Sequence, residues 1–290
     1  MKISAPCIRC LIDRQEERIQ QLEDTEKKAR YMKEVLCLIG ESDDNASAPA
    51  LVAKIRKVYE AYFGKTDDFA QVKHSFNQMM LSVEREIADR IRISREPLRN
   101  ALTYARIGNY IDFGAMNNVD TKVLEEMIYA AEDNLVDEKV YKQFTKELAR
   151  AKHLVYLVDN CGEVVLDKLV IQCLKEVYPQ LEITAVVRGK EVLNDVTMED
   201  AKEIGLDKVT KVLDNGTDVA GTDLSCVNEV AKQAILAADV IISKGQGNFE
   251  TLNGCGLNIY YLFLCKCHMF VKRFGVTRNA GVFVREVDLI

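Results

Sequence analysis

The sequence predicts an α/β protein. A helical N-terminal subdomain, residues 1–150, precedes a Rossmann-like three-layer α/β/α core with a mostly parallel sheet, residues 151–290. Two observations predict this. From Cys10 to about Lys152 the apolar residues recur at the 3.6-residue spacing of helices. Beyond residue 150 short, near-continuous apolar runs alternate with helical stretches, which is the pattern of parallel strands covered on both faces. A chain of 290 residues that is 48% hydrophobic is long enough to bury such a core.

In chain order, Met32, Val35, Leu36 and Ile39 mark one helix. Leu51, Val52, Ile55, Val58, Tyr59 and Tyr62 mark the next, and Phe69, Val72, Phe76, Met79, Val83 and Ile87 a third. Gly40 and Gly64 read as C′ residues, and Pro97 opens the helix bearing Leu98, Ala101, Leu102 and Ala105. Two further helices follow around Val123 to Ile128 and Val140 to Leu148. The candidate strands are Leu154 to Val158, Ile183 to Val187, Val209 to Leu213, Val240 to Ser243, Ile259 to Leu264 and Val282 to Val284.

A net charge of -6 gives no electrostatic reason to expect a nucleic-acid or anionic-membrane partner. There is no apolar run of about 18 residues and no apolar signal region after Met1, so a cytoplasmic protein is expected. Nine irregularly spaced cysteines do not read as a disulfide framework. Cys7 and Cys10 form a C-x₂-C pair, open between packing at a helix start and metal binding.

Three loops fall at the carboxyl ends of predicted strands, where open α/β sheets bind ligands. The first is Asp159-Asn160-Cys161-Gly162-Glu163. The second runs from Arg188 through Asn194 and Asp195 to Thr197, where Thr197 and Asp200 make a capping box. The third is Ser243-Lys244-Gly245-Gln246-Gly247-Asn248-Phe249-Glu250. In a parallel sheet all three open on one edge. Asp159, Asn160 and Asp195 then offer three oxygens to one divalent cation, with Asp159 open between ligand and nucleophile. Lys244, with the glycines Gly245 and Gly162, is placed to neutralise an anion. Glu163 is either a base or water-positioning group, or a helix-dipole partner. Asn194 is either a support for Asp195 or a turn residue. Asp159-Asn160 alone reads equally as a helix cap.

These motifs, together with Gly108-Asn109-Tyr110-Ile111-Asp112-Phe113-Gly114, resemble the DUF89 family, the ARMT1-like damage-control phosphatases. The opening Cys7-Ile8-Arg9-Cys10 resembles its prokaryotic branch, and the likeness runs from residue 7 to about 270. The resemblance implies a metal-dependent phosphatase acting on small phosphometabolites such as sugar phosphates or damaged phosphate esters. It implies a Mg, Mn, Co or Ni ion on Asp159, Asn160 and Asp195, with Lys244 on the phosphate, and it includes Asn109 and Asp112 in the site. Cys161 and Val196 depart from the family pattern by small side chains, and the segment around Arg278 to Gly281 matches only loosely and receives no role. The rival readings are a non-catalytic metabolite- or nucleotide-binding module and a SAM-dependent carboxyl methyltransferase. The absence of a G-x-G-x-x-G fingerprint weighs against the last.

Overall fold

The computed structural model describes residues 1–65, 69–112 and 120–289, so Phe113 and Gly114 lie outside the described residues. Among the described residues, seven α-helices precede the sheet: α1 Ala5–Ile19, α2 Thr25–Gly40, α3 Ala48–Phe63, α4 Ala70–Ile93, α5 Pro97–Gly108, α6 Thr121–Tyr129 and α7 Glu138–Leu148. The second half alternates β1 His153–Leu157, α8 Glu163–Val177, β2 Glu182–Val187, α9 Met198–Glu203, β3 Lys211–Asp214, α10 Glu229–Leu236, β4 Val240–Lys244, α11 Gly245–Leu252, β5 Ile259–Leu264, α12 His268–Phe274 and β6 Gly281–Arg285.

The sheet order is β3-β2-β1-β4-β5-β6. All neighbours run parallel except β6, which closes the edge antiparallel to β5. The chain winds outward from β1 in one direction, then returns to lay β4 on its other side. The split between β1 and β4 is the topological switch point, the crevice where ligands bind in folds of this kind.

Alternate residues of β1 serve opposite faces. Leu154, Tyr156 and Val158 pack with α5 and α8, while Val155 and Leu157 pack with Phe249 of α11 and Phe270 of α12. The larger core crosses residue 150, joining Leu98, Leu102 and Ile107 of α5 to Leu166 and Val170 of α8. A separate cluster of Leu11, Tyr31, Val35, Leu51 and Ile55 holds α1, α2 and α3 together.

Three local expectations are revised. Gly40 is the last residue of α2, capped by Glu41, because the helix continues to hydrogen-bond through it. Gly64 is a helix end as expected, with φ 91°. The stretch after Lys244, read as a loop, is α11 from its first glycine onward: the glycines that argue against helix by propensity are required here by close packing. β5 has the limits expected; those of the other strands shift by one or two residues, most for β3, which starts at Lys211 rather than Val209.

Candidate functional site

β1 leads through Val158 into Asp159 and Asn160, and α8 begins at Glu163. The turn between them needs Gly162 at φ 80°, where a Cβ would press on Ile111 and Phe76 at 3.0–3.1 Å. The loop after β2 folds back on this turn. Asn160 bridges Asp195 as an antiparallel pair. Cys161 N donates to Asn194 O at 2.8 Å, Val196 N to Asp159 O at 2.9 Å and Arg188 N to Val196 O at 2.8 Å. Asp159, Asn160 and Asp195 are thereby fixed by backbone as well as side chains. From the other side of the switch point, β4 delivers Lys244 and Gly245. At φ 78° Gly245 lies so close to Asp159 that a Cβ would overlap its carboxylate.

The side chains form one network. Asp159 Oδ2 accepts from Asn160 Nδ2 at 2.8 Å and Asn109 Nδ2 at 3.3 Å. Both amides also donate to Glu163 Oε2, each at 2.9 Å. With Nδ2 of Asn160 committed to two carboxylates, its Oδ1 is the atom left for a cation. Arg188, 1% exposed, spans the two aspartates: Nε donates to Asp195 Oδ2 at 2.6 Å and Nη2 to Asp159 Oδ1 at 3.3 Å. Asn248 Oδ1 receives Nη1 at 3.3 Å. Lys244 is fully buried and gives its ammonium to Ala105 O at 2.9 Å, Asp167 Oδ1 at 2.7 Å and Glu163 Oε1.

The site holds more negative charge than the protein neutralises. Burial, then the like charges of Asp195 and Glu163, drive the Asp159 carboxyl far up despite Arg188. Burial also pushes Asp195 up to about 6 against the pull of Arg188, with Asp112 adding repulsion. One ammonium at Lys244 serves two carboxylates, Glu163 and Asp167. Lys244 therefore stays charged, while burial carries Asp167 up to about 6. Cys161 is buried and its thiol is pushed up, which suits packing and not nucleophilic attack.

Among the expected residues, Asp159, Asn160, Glu163, Asn109, Asp195 and Lys244 meet in this network. Asp112 ion-pairs with Lys266 at 2.6 Å and lies near enough to act on both aspartates. Asn194 Nδ2 donates to Ile111 O at 3.3 Å, tying the loop to the end of the α5 segment. The Gly162 amide, expected to face an anion, donates to Asn77 Oδ1 at 2.7 Å. Cys7 accepts from Ser4 Oγ, and Cys10 is exposed. No group of three His, Cys, Asp or Glu side chains among the described residues is arranged to hold a metal, so a cation here would take two carboxylates and one amide oxygen. That donor set is all hard oxygen and suits a divalent ion.

Sequence reasoning assigned no role to Arg188, Asp167, Asn248 or Lys266. Arg188 stood at the end of a predicted strand beside the metal motif, and that position was its available signal. Asp167 lies one helical turn beyond Glu163 on α8, a spacing visible in the sequence but meaningless until Lys244 is placed opposite.

The damage-control phosphatase ARMT1-like domain matches residues 3–282 of the chain. A damage-control phosphatase of Pyrococcus horikoshii is 30% identical over 297 residues, covering 99% of each protein. One from Archaeoglobus fulgidus is 32% identical over 296 residues, again covering 99% of both. The crystal structure of a DUF89 family protein from Pyrococcus horikoshii superposes with a TM-score of 0.82 at 29% identity, covering 99% of both chains.

Proposed function

Because the chain belongs to the damage-control phosphatase ARMT1-like family, and relatives alike over 99% of its length are named damage-control phosphatases, we propose that it is a metal-dependent phosphomonoester hydrolase acting on small phosphometabolites. The observation that carries the reading is the convergence of Asp159, Asn160 and Asp195 at the switch point, in a pocket of excess negative charge that a divalent ion would offset.

In this reading Asp159, Asn160 and Asp195 would hold a Mg, Mn, Co or Ni ion, which would supply Lewis-acid polarisation of the phosphoryl group and activation of water. Arg188 fixes the mutual orientation of the two aspartates through its fork of donors. Glu163 and Asp159 accept from the Asn160 amide nitrogen, and Asn109 in turn holds Glu163, so that the amide oxygen and not its nitrogen would face the ion. Glu163 acts by positioning, since both its oxygens already accept hydrogen bonds. Gly245 is pressed against the Asp159 carboxylate, leaving little room for a phosphoryl group bonded to it, which supports ligation over nucleophilic attack. Lys244 contributes a buried positive charge, and contact with a phosphoryl oxygen requires it to give up one of its three acceptors. In this reading Asp112, held by Lys266 at 2.6 Å, contacts the substrate.

The test is hydrolysis of p-nitrophenyl phosphate and a panel of sugar phosphates by chelated protein, then with each ion restored. We expect turnover only with metal, and a loss of at least about 100-fold, together with weakened metal binding, in Asp159→Ala and Asp195→Ala. Absence of metal-stimulated turnover, with unchanged metal binding in Asp159→Ala, overturns the reading and leaves a binding module.

A further inference from the structure

Asn279, Ala280 and Gly281, given no role above, help to wall a cavity. It lies at the β5–β6 edge of the sheet, beneath α5 and α6, and its volume is about 360 Å³. That is enough for a small organic molecule. Arg106, Val123, Met127, Leu264, Asn279 and Gly281 are among its walls.

Among the described residues, two that line this cavity have a buried polar atom without a partner. Arg106 is 8% exposed. Its Nη2 donates to the Asn134 carbonyl, but Nε has no acceptor. Burial alone acts on its charge, lowering its pKa to about 10, and no neighbouring carboxylate raises it. The guanidinium is therefore charged at neutral pH and uncompensated, an arrangement that is costly unless something anionic joins it. Glu126, the acidic residue of the lining, is exposed and makes no ion pair with Arg106. The second group is Asn279, whose Oδ1 is buried without a donor and whose backbone takes a left-handed φ of 62°. Gly281 completes the cradle, because a Cβ there would collide with the guanidinium of Arg106. Val123, Met127 and Leu264 supply apolar wall beside these polar groups.

We propose that this cavity is a binding site, separate from the metal motif, for a small hydroxylated organic anion, its carboxylate or phosphate on Arg106 and its hydroxyl donating to Asn279 Oδ1. The complementarity is chemical: a cation without an anion, an acceptor without a donor, and an apolar flank. The cavity abuts the phosphatase network through Leu264, whose backbone N–H donates to Asn109 Oδ1 at 3.0 Å. An occupant therefore touches the strand end that holds Asn109 in place.

Titration calorimetry on chelated protein tests the proposal, with glycerate, glycerol 3-phosphate and inorganic phosphate as probes and chloride-matched controls. We expect saturable binding of glycerate or glycerol 3-phosphate. Preference between these two identifies the anionic group, and weaker binding of inorganic phosphate reports the contribution of the hydroxyl. Arg106→Met should weaken binding at least tenfold, the loss expected for charge-assisted hydrogen bonds. Asp159→Ala should bind as the wild type does, so failure of the metal site and failure of this cavity are told apart. Should Arg106→Met fail to fold, wild-type crystals soaked in selenate give the same answer through anomalous density at Arg106. No saturable binding, undiminished binding in a folded Arg106→Met, or selenate density elsewhere with none at Arg106 overturns the proposal.

Discussion

At the scale of single residues the site is governed by an imbalance of buried charge. Asp167 shows its thermodynamic consequence in a group outside the metal motif. Burial raises its carboxyl to about 6, with Glu163 adding and with Lys244 and the Tyr156 hydroxyl opposing. A carboxyl whose folded pKa exceeds its unfolded value near 4 binds its proton more tightly when folded. Its favourable contribution is complete at low pH and is lost as pH rises from about 4 to about 6. Urea unfolding of wild type and Asp167→Asn across pH 4 to 7 should therefore diverge in slope. The wild type loses on the order of 2 kcal/mol more over that window. Parallel pH dependences in the two proteins would show that Lys244 compensates Asp167 fully.

At the scale of elements the helices and strands were legible because each carries one periodicity, and the site loops were legible because Asp, Asn and Gly cluster at strand ends. The Thr197–Asp200 capping box is present as the spacing predicts. What the sequence hid are contacts between elements. Arg188 is an ordinary basic residue until the fold buries it between Asp159 and Asp195. Lys244 gains two carboxylates from α8 that only the packing of α8 against β4 supplies. The Gly-rich start of α11 reads as a loop because propensity penalises glycine, whereas tertiary crowding demands it. Gly245→Ala against Gly254→Ala measures this difference. Both glycines have positive φ, 78° and 91°, but nothing lies within 4 Å of a Cβ at Gly254. Each change should cost the roughly 1–2 kcal/mol of left-handed backbone strain. Only Gly245→Ala should also lower turnover, by about 10-fold or more, because it displaces Asp159. Unchanged turnover in Gly245→Ala would mean that Asp159 tolerates the intrusion.

At the scale of the whole molecule the two halves share a core. Leu166 of α8 is fully buried, and its Cδ1 lies 3.0 Å from the position a Cβ would take at Gly108 of α5. Arg56 of α3 reaches Glu191 O at 2.8 Å and Asp218 at 2.6 Å, and Lys73 of α4 reaches Asp200 at 2.6 Å, so the helical half is also fastened to the loops beside the site. Leu166→Ala should destabilise the chain by about 2–5 kcal/mol. It should also speed amide exchange in α5 and β1 to the same extent, as one cooperative unit. Protection lost in β1 alone would mark residue 150 as a true domain boundary. Among the described residues no helix is long and apolar enough to cross a membrane.

The strand order has a kinetic consequence. Leu154 of β1 pairs with Val240 of β4, although β2 and β3 lie between them in sequence and on the opposite side of β1 in the sheet. A parallel pairing so distant in sequence closes late, since the loop entropy must be spent before the contact forms. Asp159 and Lys244 cannot face one another until that closure, so a ribosome-bound chain shorter than β4 carries the metal motif without its site. In refolding, helical signal should return ahead of catalytic competence, and the interval between them times the joining of β1 to β4.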